Sequence, residues 1–108
     1  MIRPTYRVTR YAVSALPEDH EAYGAFLVEV AARGGDRWAV THNRMCANVD
    51  GTLSYESLSS SRTDEWLAEH RFTRVRAFTV ALTVVNRLRV NGFTVAQVLA
   101  DEHREERP

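Results

Sequence analysis

The stretch Tyr23–Glu56, YGAFLVEVAARGGDRWAVTHNRMCANVDGTLSYE, decides the fold. Read at a period of two, Phe26, Val28 and Val30 share one face and Glu29 falls on the other. That is the spacing of a half-buried strand, expected over Tyr23–Arg33. Gly34-Gly35-Asp36 closes a tight connection, and Trp38 and Val40 continue the inward face on a third strand. Met45–Asn48 and Thr52–Glu56 flank Val49-Asp50-Gly51. The Asp-Gly pair signals a hairpin, because glycine accepts positive φ without steric cost. Leu53 and Tyr55 then share a face.

Working outward, Tyr6–Leu16 is rich in Tyr, Val and Thr and bounded by prolines, so it reads as a first strand. Pro17-Glu18-Asp19-His20 is the turn after it. Beyond Leu58 the pattern changes from period two to helical spacing. Ser59-Ser60-Ser61 is a polar break. Ser61 or Thr63 can cap a short helix to about His70, with Asp64 and Glu65 in its first turn, near the positive end of the helix dipole. Trp66 and Leu67 form its buried side. A second helix is expected over Thr73–Asn86, with Val75, Phe78, Leu82 and Val85 as its apolar stripe. Its many Val and Thr residues also fit a strand. Asn91-Gly92 reads as a stop. Thr94 and Gln97 make a capping box for a third helix striped by Val95, Val98 and Leu99.

A sheet with one apolar face and helices with apolar stripes satisfy each other when they pack together. The expected fold is α+β: an antiparallel sheet of about five strands followed by three C-terminal helices packed on one face. It forms one domain over residues 1–108, strand-rich over 1–58 and helical over 61–104. A chain of 108 residues is one domain's worth. A hydrophobic fraction of 44% excludes a disordered chain of low hydrophobicity.

No apolar run approaches the ~20 residues of a membrane helix, and no basic start followed by an apolar block suggests a secretory signal. The one cysteine, Cys46, cannot form an internal disulfide. These features favour a cytoplasmic setting. All 14 basic residues are arginine and balance 14 acids. The charges are sorted: residues 1–16 hold Arg3, Arg7 and Arg10 and no acid, whereas residues 17–32 hold Glu18, Asp19, Glu21 and Glu29 and no base. Residues 71–100 hold five arginines and no acid. Such a segment attracts an anionic partner or folds against the acidic one.

Several strings carry a family resemblance: Arg37-Trp38-Ala39-Val40, Cys46-Ala47-Asn48, Asp50-Gly51, Tyr55-Glu56, Ser60-Ser61-Arg62, Asp64-Glu65-Trp66-Leu67, His70-Arg71-Phe72 and Val90-Asn91-Gly92-Phe93-Thr94. From about Leu16 to Ala100 the chain resembles a group of small proteins of high-GC Gram-positive bacteria and of their phages and integrative elements. The resemblance implies a bacterial or phage setting. It brings no assigned activity, cofactor or functional residue.

Catalytic constellations are thin. Cys46 with His42 or His70 could form a thiol pair, against which stands the usual role of an isolated strand cysteine as a small core residue. The serines lack a nucleophile elbow, and Gly34-Gly35 has no phosphate-loop spacing. His42 and Cys46 are four apart, which on a strand is ~13 Å, so neither a metal nor any other cofactor is expected. The reading is therefore a non-catalytic protein-interaction module, with Arg62, Asp64, Glu65, Trp66, His70 and Arg71 as a recognition patch around an aromatic anchor. Trp38, Tyr11, Tyr23 and Tyr55 add aromatic surface. The partner is another protein, and the open sheet edges also suit a second copy of the chain. The alternative is nucleic-acid binding through Arg76 and Arg87, which fall on one helix face. In that reading Asn91-Gly92 is the turn of a helix–turn–helix.

Overall fold

A computed structural model of the chain describes residues 2–105, and for residues 101–105 the backbone alone. Five strands form an antiparallel meander: β1 (Arg10–Val13), β2 (Val28–Ala32), β3 (Trp38–His42), β4 (Met45–Ala47) and β5 (Leu53–Tyr55), paired in that order. Helices α1 (Asp64–His70) and α2 (Arg74–Arg87) follow, then a hairpin of β6 (Arg89–Val90) and β7 (Phe93–Thr94), and α3 (Val95–Glu105). The α+β architecture expected from the period change after Leu58 is present.

The first two strands are shorter than expected. β2 occupies only Val28–Ala32 because residues Gly24–Phe26 close a 3-10 turn. That turn still delivers Phe26 to the core, at 3% exposure, which is why Phe26 reads as part of the strand. With β2 this short, β1 pairs only over Arg10–Val13, and Thr9 makes the last bond, accepting from the Ala32 N–H at 2.8 Å. Residues 6–8 of the expected strand, and 2–5 before them, run past the end of the sheet.

Val30 lies opposite Tyr11 on one side and Val40 on the other. This face of the sheet, with Val28 and Ala47, meets α2 through Ala77, Val80, Ala81, Val84, Val85 and Leu88. The expected α2 stripe is displaced: of Val75, Phe78, Leu82 and Val85, only Val85 is buried, and Val75 and Leu82 are 77% and 57% exposed. The face chosen has alanine at 77 and 81. The backbone of α2 can therefore lie close to the strands, which a larger side chain at either position would prevent. Val75 and Leu82, on the opposite face, are left to solvent. Val95, Val98 and Leu99 of α3 join the rim of this core.

Local signals at the helix starts hold. Thr63 and Thr73 accept hydrogen bonds from the N–H groups of Trp66 and Arg76, capping α1 and α2. The Thr94–Gln97 capping box is formed in both directions, at 2.8 and 3.2 Å. Asn91-Gly92 is more than a stop. Both residues have positive φ, 52° and 82°, and make the two-residue turn that joins β6 to β7. A hairpin between α2 and α3 replaces the helix–turn–helix geometry.

Candidate functional site

The sheet register brings the expected patch together on the face away from α2. Thr41 pairs with Cys46 and Cys46 with Ser54, so Glu56, two residues on, continues that side. Where β4 ends, Phe72 takes its place beside β3, exchanging backbone bonds of 2.8 and 2.9 Å with Trp38. Trp38 and Phe72 point toward the α2 core. Arg71, next in the chain, therefore points to the side of Ala39 and Cys46, where Glu56 stands.

Glu56 is the hub. Its carboxylate receives Arg71, Arg62 at 3.3 Å and Arg33 at 3.5 Å. The Arg71 side chain is 4% exposed and also donates to the His70 carbonyl at 2.9 Å. Burial pushes the Glu56 carboxyl upward, but hydrogen bonds from Arg71 and Arg33, and their charges, outweigh it and hold the group below its ordinary value. Trp66 caps the cluster. His70 stacks on its ring at 4.2 Å between centroids, while the guanidinium groups of Arg71 and Arg62 lie 5.0 and 5.5 Å from it. His70 also bonds the Trp66 carbonyl through Nδ1 at 2.7 Å.

Of the six patch residues, the structure gathers Arg62, Trp66, His70 and Arg71, and buries the last two. Asp64 and Glu65 are exposed on the first turn of α1. Sequence reading missed Glu56 and Arg33, the residues that organise the cluster. The available signal was parity: Glu56 shares strand alternation with Cys46 and Ser54 through the hairpin, a relation visible only once the register is known.

Cys46 lies buried beside this cluster. Desolvation, reinforced by the Glu56 charge, raises its thiol pKa despite Arg71, so the thiol stays protonated at neutral pH. His42 pairs with Met45 and so points to the opposite face of the sheet. Its Nδ1 bonds the Leu27 carbonyl at 2.8 Å. Among the described residues, no group of three or more His, Cys, Asp and Glu could hold a metal ion, and no helix is long and apolar enough to cross a membrane.

Of the two nucleic-acid candidates, Arg76 is exposed on α2 and Arg87 donates to the Asp50 carbonyl at 2.9 Å. Eleven residues of helix separate them, about 16 Å along the axis. Arg87 instead reaches a different feature, an open groove of about 810 Å³. The groove runs between the β3–β4 turn, the loop before β2 and the C-terminal end of α2 with β6. Arg44, Arg87 and Arg89 line it, with partly buried Leu27, Met45, Leu53 and Val90 among them. Arg44 is held at φ 70° and Asn43 at φ 48°, a two-residue turn that places the arginine at the tip. Among the described residues, neither Arg44 nor Arg89 has an acidic partner, and Glu29, the acid in the lining, is paired with Arg10 at 3.2 Å.

Compared with known protein families, with curated proteins and with solved structures, the chain matches none.

Proposed function

We propose that the protein is a non-catalytic protein-interaction module, and that its groove takes an acidic, apolar-bearing segment of a partner protein. One observation carries this reading: among the described residues Arg44 and Arg89 stand without acidic partners, and they line the same groove as Arg87. Three guanidinium groups around partly buried aliphatic side chains suit a peptide that alternates carboxylates with apolar residues. The Glu56 cluster, by contrast, spends its arginines on one internal carboxylate and supports the scaffold.

A nucleic-acid strand is the second reading, because Arg87 belongs to the basic segment. Among the described residues the groove lining contains no Trp, Tyr or Phe on which bases could stack, which favours the peptide. A cytoplasmic setting in a bacterium or its phage belongs to the same proposal.

Fluorescence anisotropy tests it, with a labelled peptide alternating Glu and Leu and a single-stranded DNA of equal charge. The peptide should bind more tightly than the DNA. Arg44→Glu with Arg89→Glu should weaken it at least tenfold, and binding should fall as salt rises. Tighter DNA binding, or an unchanged peptide affinity in the double variant, overturns the reading.

A further inference from the structure

We infer that β1 and the segment before it form an antiparallel interface with a second copy of this chain, with Thr9 on the two-fold axis. β1 lies at the edge of the sheet, with one side unpaired among the described residues. Thr9 accepts from Ala32, so its polar backbone groups face β2. Alternation then turns the backbone groups of Tyr6, Val8, Arg10 and Ala12 outward, where no strand among the described residues pairs with them. Pro4 has the same parity but no N–H, so the usable edge ends just before Tyr6. The opposite edge of the sheet, β5, has only three residues, a length that protects it.

Residues 2–9 alternate Ile2, Pro4, Tyr6 and Val8 with Arg3, Thr5, Arg7 and Thr9. Ile2, Tyr6 and Val8 are 92%, 92% and 55% exposed. The radius of gyration is 16.5 Å, against about 13 Å for a compact chain of this length. An apolar row this bare, continuing an edge strand, lacks its cover.

The register follows from the outward groups. Tyr6 pairs with the partner's Ala12 and Val8 with the partner's Arg10. Four outward residues are used on each chain, and Thr9 faces its own copy.

Charge selects a second copy as the occupant. The strand is polarised, with Arg3, Arg7 and Arg10 on or before it and Glu18, Asp19 and Glu21 just after it. These three acids have no ion pair among the described residues. Within one chain the two ends point apart. Antiparallel pairing of two copies lays Arg3 of each beside the Pro17–Glu21 turn of the other, so both ends are neutralised at once.

Sedimentation equilibrium and oxidative cross-linking of the full chain test this. The wild-type chain should sediment as a dimer, at twice 12.3 kDa. Thr9→Cys should cross-link to its copy, since facing Cα atoms in such a position lie ~4.5 Å apart, within disulfide reach. Thr5→Cys should not, because eight residues of strand separate the two copies of position 5, about 27 Å. Cys46 is buried and gives a low background. Val8→Pro removes an outward N–H and leaves the β1–β2 bonds untouched, so it should weaken the dimer at least tenfold with an unchanged circular dichroism spectrum. Arg3→Glu should weaken it as well, and adding Glu18→Arg and Asp19→Arg should restore it. A monomer at all concentrations, cross-linking at Thr5→Cys as fast as at Thr9→Cys, or a Val8→Pro dimer of wild-type affinity would each overturn the interface.

Discussion

Truncating Glu56 should be among the most damaging single substitutions on this molecule. Glu56→Ala leaves Arg71, whose side chain is 4% exposed, with the His70 carbonyl, the Cys46 thiol and the face of Trp66, none of them charged. A buried charge that loses its counter-ion destabilises by about 3–5 kcal/mol. A domain of this size has a total stability of roughly 5–15 kcal/mol. The variant should therefore lose about a fifth or more of its stability, with a fall in Tm of roughly 12–20 °C at ~4 °C per kcal/mol. Urea unfolding followed by the fluorescence of Trp38 and Trp66 measures it. The exposed pair Arg10–Glu29, with Arg10 65% exposed, is the control, and Arg10→Ala should cost no more than about 1 kcal/mol. Adding Arg71→Met to Glu56→Ala should recover part of the loss, because the penalty comes from an unpaired buried charge rather than from a missing attraction. A Glu56→Ala effect as small as that of Arg10→Ala would refute the reasoning.

Acid should act through the same carboxyl. Its pKa is lower folded than the ordinary 4.5, so its contribution is complete above that value and is lost as pH falls through the folded value. Stability of Glu56→Gln should fall less steeply below pH 4.5 than that of the wild type. Gly51→Ala should destabilise by about 1–3 kcal/mol, since φ is 81° there and the added Cβ would stand 2.8 Å from Cγ2 of Thr83. Thr83→Ser, which removes that methyl, should recover part of the loss in the double variant. On α2, Val84→Ala should cost about 2 kcal/mol while Leu82→Ala stays within about 0.5 kcal/mol, a contrast that thermal unfolding resolves.

Strand and helix content was legible because it rests on local chemistry. Asp50-Gly51 signals a hairpin, Thr63 and Thr94 cap helices, and period-two runs make strands, whereas Asn91-Gly92 reads as a stop and turns out to be the turn of the β6–β7 hairpin. These preferences act within a few residues and do not depend on what packs nearby. The sequence of α2 fits a helix at three- and four-residue spacing but also a strand by its Val and Thr content, and it does not say which side of the helix is inward. Ala77 and Ala81 decide that, through how near the helix can come to β2 and β3, and closeness of approach is a property of two surfaces together.

The functional residues divide in the same way. Trp66, His70 and Arg71 stand out by type and spacing, yet their roles are set by Glu56 and Arg33, distant in the chain and joined to them by strand register and by the Trp38–Phe72 bridge. The groove arginines show the opposite case. Arg44, Arg87 and Arg89 belong to a turn, a helix end and a hairpin, and no spacing rule connects them. The sequence by itself determined the five-strand meander, the change to helices after Leu58 and the sorting of charge along the chain, because each follows from near neighbours or from composition. Only the tertiary structure decided which charges are paired in the interior and which, among the described residues, stay exposed without an acidic partner, because burial and pairing depend on residues that the fold brings together from far apart.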